Sequence, residues 1–130
     1  MTMAHEKILT VFMGVTEMAK AKAFYVEQLG WSVTKEAGQG ERHWVGLELP
    51  GEGAELTLTT MHQHMKPGTM KVYLSTSQIE AAYDELKAKG VKLDEVKDNL
   101  YGPGSGVKWF DLHDPDGNQL LVVQSEHGPR

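Results

Sequence analysis

The sequence predicts an α+β fold made of two βαβββ modules. Each is a curved mixed sheet with one helix, and the pair encloses a cleft. Three observations lead there. The order strand, helix, three strands can be read twice along the chain. The glycines that stop the two helices, Gly30 and Gly90, lie sixty residues apart, a repeat at the level of whole modules. The length of 130 residues suits a single domain, 1–130, with modules of about 7–60 and 70–124.

In the first module, the run Ile8 to Val15 is apolar and rich in strand formers. Thr16 is a helix-capping residue type, and Met18, Ala21, Tyr25 and Leu29 recur at helical spacing. Gly30 ends that helix. Strands are expected over Trp31 to Glu36, Arg42 to Leu49 and Ala54 to Thr60, separated by the turn sequences Ala37–Gly40 and Pro50–Gly53.

The second module repeats the order. Met70 to Ser75 is a strand, and Ser77-Gln-Ile-Glu80 has the form of a capping box. Ile79, Ala82, Tyr83 and Leu86 form a helical stripe. Val91 to Lys97, Val107 to Leu112 and Gln119 to Val123 complete the strands, with the tight-turn sequence Asp114-Pro-Asp-Gly-Asn118 between the last two.

Composition removes several functions. The chain has no cysteine, which excludes disulfides, thiolate metal sites and a cysteine nucleophile, and a cytoplasmic location is expected. Thirteen Lys and Arg against eighteen Asp and Glu give a net charge of −5, and the basic residues are scattered, so nucleic acid is not an expected partner. No membrane association is expected, because the longest apolar run, Ile8 to Val15, is far shorter than the ~20 residues of a spanning helix.

Two segments resemble a known family. Val15-Thr-Glu-Met-Ala-Lys-Ala-Lys-Ala-Phe-Tyr-Val-Glu-Gln-Leu-Gly-Trp31 is similar to the first-helix signature of the vicinal oxygen chelate superfamily, which includes glyoxalase I, extradiol dioxygenases and bleomycin-resistance proteins. Asp114-Pro-Asp-Gly-Asn118 and the apolar strand after it resemble the closing signature. The resemblance spans roughly Ile8 to Gln124 and implies the paired-module fold and a homodimer. It also implies a divalent metal held from the first, fourth, fifth and eighth strands. Those positions fall on Thr10, Glu55, Lys71 and Leu121. Only Glu55 is a strong ligand: a protonated lysine cannot ligate, and leucine has no donor atom. No metal or other cofactor is therefore predicted, although a divalent ion held by non-standard ligands stays as the alternative.

The candidate site follows from strand alternation. Glu55, Thr57 and Thr59 share one face of the fourth strand, and Lys71, Tyr73 and Ser75 one face of the fifth, with leucines and valines opposite. The polar faces line the cleft or else meet solvent or a second copy. Glu55 and Lys71 are the candidate catalytic pair, the ammonium taking the place of the metal charge; the plain alternative is a hydrated ion pair. Expected ligand contacts are His43, Thr57, Tyr73, Trp109, Tyr101 and Phe12. His43 is the histidine most suited to acid–base or ligand chemistry at neutral pH, with a backbone-satisfied histidine as the alternative. Tyr101 opens the glycine loop Tyr101–Gly106, a candidate lid. His62 and His64 have a chelating spacing but fall in the linker between modules, where ligation is not expected.

Three functions are compatible. The chain is a metal-independent binder of a small organic molecule, a glyoxalase- or dioxygenase-type metal enzyme, or a metal-free isomerase or lyase with Glu55 as base and Lys71 as stabiliser. The last requires burial to raise the Glu55 pKa.

Overall fold

The computed structural model describes His5 and residues 8–51, 53–61 and 65–125. The chain divides into two compact units, Met1–Gly68 and Thr69–Arg130, each holding one of the predicted modules. The fold class is α+β, with a four-stranded sheet in the first unit and a three-stranded sheet in the second.

The first unit contains β1 (Thr10–Gly14), α1 (Met18–Lys22), β2 (Ser32–Ala37), β3 (Trp44–Glu48) and β4 (Glu55–Thr59). The sheet order is β1-β4-β3-β2, with β1 parallel to β4 and the other pairs antiparallel. The β1–β4 pair is parallel because a helix and two strands intervene, giving the chain room for a crossover.

The helix does not run as one α-helix to Gly30. After Lys22 it widens into a π-helical segment, Ala23–Gln28. The wider turn brings two consecutive aromatic residues inward, Phe24 and Tyr25, both buried. Their rings meet edge to face at 5.2 Å, and Tyr25 also contacts Trp31 at 5.0 Å. The Tyr25 hydroxyl donates to Met13 Sδ at 2.9 Å, tying this segment to β1. Gly30 closes the helix at φ 80°, a conformation open to glycine.

One face of the sheet packs under this helix. Met13, Val45, Leu47 and Leu58 are fully buried there, and each contributes about 1.5–3 kcal/mol of transfer free energy. The other face carries the polar residues of the alternation.

The second unit contains β5 (Lys71–Thr76), α2 (Ile79–Ala88), β6 (Trp109–His113) and β7 (Gln119–Gln124), in the sheet order β5-β7-β6. Tyr83 of α2 meets Phe110 of β6 edge to face at 5.3 Å, which seats the helix on the face formed by Phe110, Leu112, Leu120 and Val122.

Two local segments differ from the expectation. Val91 to Lys97 does not form a strand and contributes only a bridge between Lys97 and Trp109. Asp94 explains this: its carboxylate accepts the Glu95 N–H and the Lys97 ammonium, both at 2.9 Å, and such local bonds compete with a ladder. The capping box also does not form. The helix starts after Gln78 with no cap from its own side chains, and Glu80 turns to Lys108 instead. Gln124 of the last strand supplies the missing acceptor, taking the Ile79 N–H at 3.0 Å and donating to the Ser77 carbonyl at 2.9 Å.

The turn Asp114–Asn118 is a structural element, as its position between strands suggests. Asp114 Oδ1 accepts the backbone N–H groups of Asp116 and Asn118, and Asn118 Nδ2 donates to Asp114 Oδ2, all at 2.9 Å. Asn118 Oδ1 accepts the Met70 N–H at 3.0 Å, which pins the start of β5.

Candidate functional site

The polar face of the first sheet gathers Glu55, Thr57 and Phe12. The parallel register sets Thr10 beside Glu55 and Phe12 beside Thr57. Continuing across β3 and β2, Gly46 lies beside Thr57 and Lys35 beside Gly46. Phe12, Thr57, Gly46 and Lys35 thus form one row across all four strands.

Glu55 is the centre of this face. Thr34 Oγ1 donates to Glu55 Oε2 at 2.6 Å, and the Lys35 ammonium lies 3.4 Å from Oε1. Thr57 Oγ1 approaches Oε1 at 3.4 Å, and Thr57 is joined to Thr10 at 2.7 Å between hydroxyl oxygens. Thr57 gives its proton to the carboxylate, so Thr10 is the donor in the second bond. The Glu55 carboxyl is held below its ordinary pKa: the Thr34 hydrogen bond lowers it most, partial burial works against this, and the Lys35 charge lowers it further.

Gly46 makes room for this arrangement. A Cβ there would stand 2.6 Å from Thr34 Oγ1 and 3.0 Å from Glu55 Oε1. The carboxylate therefore lies over the sheet where a larger residue would push it away. The Lys35 ammonium also sits 5.7 Å from the centre of the Trp44 ring, within cation–π range.

Thr34 and Lys35 reach the same face because β2 bulges. Its pairing with β3 shifts between Val33 and Lys35. Strict alternation would send Thr34 and Lys35 to opposite faces; the extra residue lets both meet Glu55. The sequence carries no clear mark of this bulge, so Thr34, Lys35 and Gly46 were not among the expected site residues.

His43 is placed differently. Its Nε2 lies 2.6 Å from Glu36 Oε2, and the other oxygen of Glu36 takes Lys22 at 2.8 Å. The Glu36 carboxyl is lowered, first by Lys22 and then by His43. This cluster ties the helix to the β2 and β3 ends and is separate from the Glu55 network.

The second unit holds Lys71, Tyr73, Trp109 and Tyr101. Lys71 and Tyr73 lie on one exposed face of β5, with the Lys71 ammonium 5.8 Å from the Tyr73 ring centre. Trp109 shares that face of the sheet, beside Asp111 and Leu121. Its indole N–H donates to Asn99 Oδ1 at 3.0 Å, and Lys97 covers its ring at 4.8 Å. Tyr101 is 72% exposed on its loop. Two shallow cavities of about 590 and 670 Å³ also lie in this unit, beside α2. They share the exposed Glu80–Lys108 ion pair, and none of the expected site residues lines them.

The family's metal does not suit the residues at its four positions. Thr10 is bonded to Thr57, Glu55 holds Thr34 and Lys35, Lys71 is a cation and Leu121 has no donor. His62 and His64 lie outside the described residues. Among the described residues, no three His, Asp or Glu side chains stand together as a metal site.

The fold and sequence define the class. Residues 7–122 match the model of the Glyoxalase/Bleomycin resistance protein/Dioxygenase superfamily, and the chain belongs to that superfamily. The chain is similar to the uncharacterized protein YetH of Bacillus subtilis (strain 168), with 27% identity over 92% of this chain and 98% of that one. Among solved structures it is similar to TnmS3, an antibiotic binding protein from Streptomyces sp. CB03234. The identity is 27%, the coverage 96% of this chain and 100% of that one, and the TM-score 0.79. A glyoxalase/bleomycin resistance protein from the same organism matches with 27% identity, coverage of 92% and 100%, and a TM-score of 0.74.

Proposed function

We propose that this protein binds a small organic molecule on the polar face of its first sheet, without the superfamily's metal. The observation that carries this reading is the Glu55 network. A carboxylate is fixed by Thr34, seated over Gly46 and flanked by Lys35, Trp44 and Phe12. A lowered carboxyl pKa suits recognition of donors better than proton abstraction, which needs a base closer to neutrality. The antibiotic-binding character of TnmS3 supports the same reading. A homodimer in the cytoplasm remains the expected setting, on the family resemblance and the absence of cysteine.

The test is calorimetric titration of a panel of small organic compounds, antibiotics included, against metal-free protein. Glu55→Gln and Gly46→Ala should each weaken binding, Gly46→Ala by displacing the carboxylate while leaving the fold intact. Binding that survives both substitutions unchanged would remove this face from the site. Stoichiometric metal retained by purified protein and required for binding would contradict the metal-free reading.

A further inference from the structure

We infer that Lys35 occupies the subsite of an organic cation, so that the ligand is an ammonium- or amidinium-bearing molecule that displaces it from Glu55 and Trp44. This rests on the reading that the Glu55 face binds the ligand, and it names the ligand's charge.

Lys35 is held loosely. Its distance to Glu55 is 3.4 Å, whereas Lys22–Glu36, Lys97–Asp94 and Lys108–Glu80 close to 2.8, 2.9 and 2.7 Å. Its side chain is 49% exposed, and that of Glu55 only 17%. The carboxylate is therefore the fixed partner and the ammonium the movable one. Thr34 keeps Glu55 in place when Lys35 leaves, because its 2.6 Å bond goes to the other carboxylate oxygen.

The position Lys35 takes has the two features that recognise an organic cation. One is an ionised carboxylate at ion-pair distance. The other is the Trp44 ring, 5.7 Å from the ammonium. A ligand cation entering here recovers both contacts. Phe12, at the far end of the same row, is 39% exposed, whereas Gly46 and Thr57 between it and Lys35 are buried. Among the described residues, Lys35 is the one cation paired with Glu55, so its departure leaves the carboxylate uncompensated. The net charge of −5 draws cations in the same direction. Had the site been built for an anion, Lys35 would be the recognising group, and the firmly held Glu55 beside it would repel the ligand.

The sign of one substitution separates these cases. Benzylammonium, benzyl alcohol and benzoate share a ring and differ in charge. Each is titrated into the full chain, wild type and variants, with binding followed by amide and indole NMR shifts. Benzylammonium should move the Trp44 indole and the backbone of Lys35 and Glu55. Lys35→Met should tighten its binding by on the order of two- to fivefold, the change that loss of an exposed competing ion pair gives. Glu55→Gln should weaken it. If Lys35→Met weakens or does not change benzylammonium binding, or if benzoate binds best and depends on Lys35, the cation inference is overturned while binding at this face stands. If none of the three probes moves these signals in wild type or Lys35→Met, both the cation inference and the site fail. Retained amide dispersion in each variant shows that the fold is intact.

Discussion

Glu55 could be picked out from its strand position alone, but its chemistry is set by neighbours that the sequence does not announce. The Thr34 hydroxyl is the chief cause of its lowered pKa, and Thr34 arrives there through a bulge. Thr34→Val should therefore raise the Glu55 titration, read by carbon NMR of the side-chain carboxyl. The sign for stability follows from linkage. A carboxyl whose folded pKa is depressed adds stability above its unfolded pKa, and that stability is lost as pH falls through the folded value. The stability difference between wild type and Thr34→Val should be present at neutral pH and shrink in acid, measured by denaturant titration at a series of pH values. His43 illustrates the opposite limit. Its residue type invited an acid–base role, yet its ring nitrogen is engaged by Glu36, on a strand neighbour that no periodicity connects to it.

Periodic signals located most elements and missed those governed by competing local bonds. The helix stripes, the glycine stops and the Asp114–Asn118 turn were legible because each has a distinct residue chemistry. Val91 to Lys97 begins with an apolar alternation at Val91 and Leu93, but Asp94 bonds its own neighbours, and only one bridge to Trp109 remains. The start of α2 was missed for a different reason, a bond to a residue distant in the chain. Ser77 and Glu80 have the capping-box spacing, yet Gln124, forty-five residues from Ile79, accepts the helix N–H. Gln124→Ala should then cost about 1 kcal/mol, in the range of a lost N-cap, while Ser77→Ala should be close to neutral. Equal losses in urea unfolding of the two variants would contradict this assignment of the cap.

At the scale of the molecule, the two-module plan was readable because the glycine stops and the strand–helix order recur, although the second unit has three strands where four were expected. The superfamily could be read from two motifs that are structural: a helix packed on a strand and a tight turn closed by Asp114 and Asn118. The ligand could not be read there, since those motifs hold the scaffold and leave the sheet faces free to vary. The function therefore turns on which sheet face a small molecule meets. The most direct measurement is an amide NMR map of the full chain with a bound compound from the panel. Binding at the Glu55 face should place the largest shifts on Phe12, Thr34, Lys35, Trp44, Glu55 and Thr57. Shifts concentrated instead on Ser77, Glu80, Lys108 and Gln124, around the cavities beside α2, would contradict it.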